Sequence, residues 1–386
     1  MRRGRQRYLA ALGALVFAVA TTLVARPYVR AAILIARATD AGGWPGRLAA
    51  LAGRSAIVER DVAIPTRHGP MPGRVYAPDP AIHAATLLVP GINPTGLDEP
   101  RLIEFARALA GSGVPIVTVA PDDLVAFRVT AADTDRIEDA AGWLADQPAL
   151  TGGGRPGLVG VSFAGGLAIV AAGRPAVRDR LAFVLSFGGH GDLPRVLRFL
   201  CTGELADGTR ERPHDYGTAV VLLNVLDRLV PPAQVEPLRE AVLSFMEASR
   251  LAMIDAEEAR REFARARALE AALPEPAAGW MRRVNARDVE GSGPRLLPYA
   301  LAIGADPALS PERSPAPAAP VFLLHGVGDI VIPTLETDRL AAWLDGRTDV
   351  RALVTPLVTH AEVAPEVHPG DAWRAVAFWR DVLGRR

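Results

Sequence analysis

From Ala56 onward the chain alternates short apolar runs with stretches of helical period. Ile57–Ile64 and Arg74–Tyr76 read as two strands joined by the turn His68-Gly69-Pro70. Thr86–Val89 (TLLV), Pro115–Val119 (PIVTV), Leu158–Val161 and Phe183–Phe187 are short runs that carry almost no polar position, as strands buried on both faces do. Between them, Leu102, Phe105, Ala106 and Leu109 recur at helical spacing and stop at Gly111, and Asp135–Leu144 is amphipathic. Gly165–Ala172 reads as a helix of small residues. The same rhythm returns near the C-terminus: strand Val321–Leu324, helix Leu335–Leu344, strand Ala352–Val358, helix Ala372–Leu383. Strands alternating with helices require crossover connections, which predicts a mostly parallel, doubly wound α/β sheet.

Two regions break that rhythm. Between about His190 and Ala319 helical period dominates, with Leu238, Val242, Phe245, Met246 and Met253 on one stripe and Glu257 paired with Arg261 four residues on. The stripe must cover something, either the carboxyl edge of the sheet or other helices of the block, and the expectation is that it roofs the carboxyl edge. Ser310–Pro320 (SPERSPAPAAP) reads as the linker back into the sheet, and the helical block between two strands reads as a cap. At the other end, Met1–Arg7 carries four Arg and precedes an uncharged run, Tyr8–Ala25, of about 18 residues, the lower edge of a bilayer-spanning helix. Ala18-Val19-Ala20 resembles a signal cleavage site, but the run continues past it, which favours a retained signal anchor. A buried amphipathic helix fits less well, because the run has no polar face. The short Arg-rich tail favours an inside N-terminus and the bulk of the chain outside the cytoplasm. Ala31–Ala36 (AAILIA), between Arg30 and Arg37, is expected to lie in the lipid interface with its Arg side chains snorkelling. The organisation expected is an anchor over residues 1–45, a core over 46–190, a helical cap with linker over 191–319, and a second core part over 320–386.

Composition narrows the chemistry. The 386 residues are 49% hydrophobic and 22% charged, enough for a large core and against wholesale disorder. Lys+Arg and Asp+Glu are 43 each, so no basic footprint for nucleic acid exists overall. The basic residues are all Arg. The absence of Lys excludes Schiff-base chemistry, Ser-Lys dyads and a P-loop, so Thr151–Gly157 (TGGGRPG) is a turn. A single Cys201 excludes an internal disulfide and a Cys-rich zinc site; with no basic neighbour it is expected to be packed.

Gly160-Val161-Ser162-Phe163-Ala164-Gly165 follows a strand and opens a helix. A sharp strand-to-helix turn there would expose the Ser162 hydroxyl, and it needs small residues at 160 and 164. The simpler alternative is a Ser that caps the helix. His325–Pro333 (HGVGDIVIP) lies directly after strand Val321–Leu324, where Asp329 could hold an imidazole in one tautomer; the simpler alternative is an Asp capping the next helix. His360 follows the last strand. Asp192, after Phe183–Phe187, is an alternative acid. His360, Glu362, Glu366 and His368 crowd together, but no Cys pair or HExxH motif accompanies them and no metal is expected. Asn93 reads as a turn former rather than a side-chain donor to the site.

In chain order and in placement after successive strands, Ser162, Asp329 and His360 resemble the nucleophile, acid and histidine of the α/β-hydrolase superfamily. The acid and histidine lie about thirty residues apart, and the resemblance spans about Ala56–His190 and Pro320–Arg386. It implies an oxyanion hole built from the backbone N–H groups of Ile92 and Phe163. The His-Gly of many members is Pro90-Gly91 here, and Ala164 stands where Gly is commoner. The activity implied is serine-dependent hydrolysis of a carboxylic ester or related acyl compound, small or lipid-like, without a cofactor. The membrane would be a partner through the N-terminal helix, and nucleic acid would not. The same residues would serve a peptidase, an amidase or an acyltransferase. Inert proteins share the fold too, which leaves a membrane-tethered binding module as the alternative of a different class.

Overall fold

The apolar runs form one eight-stranded sheet in a computed structural model that describes residues 25–37, 47, 51, 56–81, 83–214, 216–252, 255–358 and 368–385. The strands are β1 (Ala56–Ile64), β2 (Met71–Asp79), β3 (Thr86–Val89), β4 (Ile116–Val119), β5 (Gly157–Val161), β6 (Phe183–Phe187), β7 (Val321–Gly326) and β8 (Val350–Thr355). Their order is β1-β2-β4-β3-β5-β6-β7-β8. β1 pairs antiparallel with β2, and β2 with β4; the other neighbours run parallel.

Successive side chains of a strand point to opposite faces, and both faces are covered. Leu87 and Val89 of β3 enter the cluster that contains α3 (Ala131–Ala145) and α4 (Phe163–Gly173). Leu88 between them enters the opposite cluster. That second cluster holds the apolar sides of α1 (residues 25–37), α2 (Pro100–Ala110) and α12 (Pro369–Gly384). Six helices fill the chain between β6 and β7: α5 (Leu193–Thr202), α6 (Tyr216–Leu223), α7 (Pro232–Leu251), α8 (Ala256–Ala272), α9 (Ala277–Asn285) and α10 (Val289–Gly304). A single-turn helix, Leu226–Leu229, lies among them, and α11 (Leu335–Leu344) joins β7 to β8.

Several readings shift in detail. β2 is longer than Arg74–Tyr76, and β8 stops at Thr355 rather than Val358. Glu257 and Arg261 do pair, at 2.9 Å. Leu238, Val242 and Phe245 are buried, and Phe245 packs edge-on against Phe263 of α8, so most of that stripe covers other helices. Met253 lies outside the described residues, as does the uncharged run from Tyr8 up to residue 24. No helix among the described residues is long and apolar enough to cross a membrane.

The expectation for Ala31–Ala36 is corrected. Ala31, Leu34 and Ala36 are buried against protein, because α2 and α12 offer apolar faces that cover them. Arg37 fixes the end of α1 by donating from Nη1 to the Gly111 carbonyl at 2.6 Å.

Candidate active site

The turn from β5 to α4 is held by its backbone. Ser162 N–H donates to the Phe187 carbonyl at 2.7 Å, and the Ser162 carbonyl accepts from Gly165 N–H at 2.8 Å. Between these ties Ser162 takes φ 56° and ψ −130°, a conformation that costs a side-chain-bearing residue about 1–3 kcal/mol. Its side chain makes no cap bond to α4 although it stands at the N-cap position. The capping explanation of this Ser therefore fails, and the hydroxyl is not spent on the helix end.

Sterics explain the small neighbours. A Cβ on Gly160 would sit 2.2 Å from the Ala164 carbonyl oxygen, and one on Gly91 would sit 2.9 Å from Ser162 Cβ and 3.6 Å from its Oγ. The loop after β3 thus lies directly against the nucleophile position. Asn93 is tied into that loop, donating from Nδ2 to the Gly91 carbonyl at 3.2 Å and accepting from Thr95 Oγ at 3.3 Å. It is a turn former. Phe163 is the first residue of α4, so its N–H has no acceptor within the helix. Gly91→Ala should leave the sheet intact but push the loop from Ser162. If the N–H of Ile92 stabilises an oxyanion, turnover should fall by about 10²–10³-fold with substrate binding nearly unchanged, as steady-state kinetics would read.

Asp329 is 4% exposed. Its Oδ1 accepts from the N–H groups of Val331 (2.8 Å) and Ile332 (3.0 Å), which closes the turn beyond β7. It does not cap α11, which starts only at Leu335. Oδ2 lies 3.8 Å from where a Cβ of Gly188 would be, at the end of β6, and 3.3 Å from His325 Nε2. His325 is fully buried, with Nε2 2.9 Å from the Ile332 carbonyl and Nδ1 2.6 Å from Thr337 Oγ. A carbonyl can only accept, so Nε2 carries a proton. His325 braces the Asp329 turn. Sequence reasoning assigned it no role, although its spacing of four from Asp329 was visible.

The alternative acid is otherwise engaged. Asp192 caps α5 by accepting from Arg195 N–H at 3.0 Å, and its other oxygen pairs with Arg313 at 2.6 Å. Beneath it, Glu336 accepts from the N–H groups of Gly191 and Asp192 and pairs with Arg195. Cys201 is buried, and burial pushes its thiol up to about 12. His360, Glu362 and Glu366 lie outside the described residues, and no metal-holding group of His, Cys, Asp or Glu occurs among the described ones.

Ser162, Asp329, Ile92 and Phe163 share one cavity of about 1690 Å³. Leu243 and Met246 of α7 form part of its wall, as does Val358, two residues before His360. Among the described residues, Met246 is the one member of the apolar stripe in this wall. Leu34 and Ile35 of α1 also face the cavity, a placement that no local pattern in the sequence announces.

An eight-stranded, mostly parallel sheet in this order, with a strained strand-turn-helix elbow after β5, is the α/β-hydrolase fold. No protein-family model matches the chain, and no curated relative does. Among solved structures it is similar to an esterase of Pyrobaculum calidifontis, at 16% identity and TM-score 0.46 over 94% of each chain. It is also similar to a Pyrococcus horikoshii acylaminoacyl peptidase, at 14% identity and TM-score 0.46, covering 88% of this chain and 42% of that one. A puromycin-hydrolyzing peptidase of Mycobacterium tuberculosis has 17% identity and TM-score 0.44, with 86% and 40% covered. The chain therefore spans about two-fifths of each peptidase's length. Likeness at such identities carries no argument about activity.

Proposed function

We propose that the protein is a serine hydrolase that cleaves a carboxylic ester or related acyl compound through Ser162, His360 and Asp329. The observation that carries this reading is Ser162 itself. It is held at φ 56° with its hydroxyl uncommitted to the helix, beside Gly91, in the same cavity as a buried carboxylate. Strain of this kind persists where surrounding structure over-determines it, and it clusters at active sites.

In the reaction, Oγ of Ser162 attacks the acyl carbon and its proton passes to His360. The N–H groups of Ile92 and Phe163 stabilise the oxyanion, and Asp329 orients the imidazole. Collapse expels the alcohol with the proton from His360; water then repeats the sequence on the acyl-enzyme and frees the acid. The position of His360 in the chain is compatible with this. Val358 is in the cavity wall, and two residues span at most about 7 Å. Hydrolysis of an amide uses the same groups and differs only in the leaving amine.

A fluorophosphonate should label the folded protein, with the adduct on Ser162 by mass spectrometry. A folded protein that takes no label and hydrolyses no ester or peptide would favour the binding-module reading. The six helices between β6 and β7 are read as a cap that selects the acyl group. Its contact residues are then Leu243 and Met246 rather than the buried Phe245. Leu243→Ala and Met246→Ala should shift the preferred acyl chain length in a p-nitrophenyl ester series, since each removed group is worth about 1–3 kcal/mol of discrimination. An unchanged preference profile in both variants would remove the cap from substrate selection.

A further inference from the structure

One wall of the cavity belongs to the two ends of the chain. Leu34 and Ile35 of α1 and Ala375 and Trp379 of α12 face into it, and Phe105 of α2 packs edge-on against Trp379. The other side of the same two helices carries a different chemistry. Val29 is 45% exposed and Trp373 is 61% exposed. Trp373 stacks on Tyr28 with ring centroids 5.3 Å apart and planes at 3°, and Arg380 lies over the Tyr28 ring at 4.8 Å. Large apolar and aromatic side chains left in water beside Arg form the composition of a bilayer interface, where amphipathic rings sit at headgroup level.

The sequence that leads into α1 supplies the occupant of this face. The uncharged run Tyr8–Ala25 ends where α1 is first described, and residues 1–37 carry seven Arg and no acidic residue. A bilayer with anionic headgroups matches both features: apolar residues enter its interface and Arg side chains meet its phosphates. A protein partner would satisfy Val29 and Trp373 as well, but it would leave the apolar run without a destination.

We propose that the outer face of α1 and α12 docks on an anionic lipid bilayer, and that the cavity behind it takes the acyl chain of a bilayer lipid. The second half rests on the hydrolase reading above. A tether alone would leave the domain free to turn. Packing α1 onto α2 and α12 joins the tether rigidly to the cavity wall, through the buried Leu34 and the bond from Arg37 to Gly111. The apolar lining from Leu34, Ile35 and Trp379 suits a hydrocarbon chain, which has no polar group to desolvate.

The test uses the full chain in vesicles of phosphatidylethanolamine and phosphatidylglycerol. Cys substituted at Val29, at Trp373 or at Val58 is labelled with a polarity-sensitive fluorophore. Val58 is 61% exposed on β1 and serves as the apolar control. The buried Cys201 thiol stays protonated and unlabelled. Spin-labelled lipid should quench the probe at Val29→Cys and Trp373→Cys but not at Val58→Cys. Equal quenching at all three positions, or at none, overturns the docking face. Trp373→Asp should cut hydrolysis of a long-chain ester held in the vesicle by about tenfold or more, because an aromatic side chain leaves the interface. Its rate on a soluble short-chain ester should stay at the parent value. Equal loss on both esters assigns Trp373 to the fold and overturns its docking role. If the quenching pattern holds while Ser162 takes no label and neither ester is hydrolysed, the hydrolase reading fails and the docking face stands.

Discussion

Ser162→Ala should lower turnover by about six orders of magnitude while leaving the protein folded. The size follows from the division of labour in the site. An unactivated hydroxyl is a poor nucleophile, and the residual rate comes only from binding and oxyanion contacts, which the variant retains. The fold should survive because Oγ makes no cap bond to α4, so the helix loses nothing with it. Fluorophosphonate labelling should vanish with the rate. Ser162→Gly supplies an independent check. Glycine adopts positive φ freely, so this variant should be more stable than the parent by about 1 kcal/mol in chemical denaturation, although equally inactive. A Ser162→Gly variant less stable than the parent would mean that the hydroxyl has a structural role, and it would sink the reading of Ser162 as a strained nucleophile. Activity of the parent should rise with pH as the accepting imidazole loses its proton.

The elbow was legible in the sequence because its requirements are local. A buried strand, a small residue two positions either side of the Ser and a small-residue helix can all be seen within one window, and Gly160 meets the Ala164 carbonyl as that geometry demands. The central strands were legible for a similar reason: TLLV of β3 is buried at each of its positions, and no helix pattern competes over so short a run. β2 extends beyond Arg74–Tyr76 to include Pro72 and Pro78 near its ends, although Pro argues against a strand. Here both fall outside the residues that pair with β4, Gly73 to Tyr76, so that side of the ladder loses no donor. What the helical block covers was not legible. Period 3.6 identifies the apolar side of α7 but not its neighbour, and Phe245 meets Phe263 of α8 rather than the cavity. The part played by α1 was hidden for a deeper reason. AAILIA between Arg residues has the same pattern whether lipid or protein covers it, and only the tertiary arrangement puts α2 and α12 against Leu34.

Asp329→Asn is the sharper test of the proposed acid, because the two oxygens of that carboxylate have different partners. Oδ1 closes the turn by accepting from Val331 and Ile332, and the amide oxygen of Asn can accept the same two bonds. The turn and the burial of the loop should therefore persist. Oδ2 lies by Gly188 and 3.3 Å from His325 Nε2, and an Asn places an NH₂ there. That group donates and cannot accept, so under the proposed mechanism it cannot receive the N–H of the His360 imidazole. The histidine would be held in the wrong tautomer, and turnover should fall by about four orders of magnitude, while the donor facing His325 Nε2–H costs some stability. Asp192→Asn should behave in the opposite way. It keeps the cap on α5 through its amide oxygen but gives up the charge that pairs with Arg313, which is a cost to stability and not to chemistry. Its turnover should stay within a few-fold of the parent. Near-normal turnover in Asp329→Asn together with collapse in Asp192→Asn would move the acid to the end of β6. A fall of about 10⁴ confined to Asp329→Asn, with Val331 and Ile332 amides still protected from hydrogen exchange, would tie the loss to the imidazole rather than to the turn.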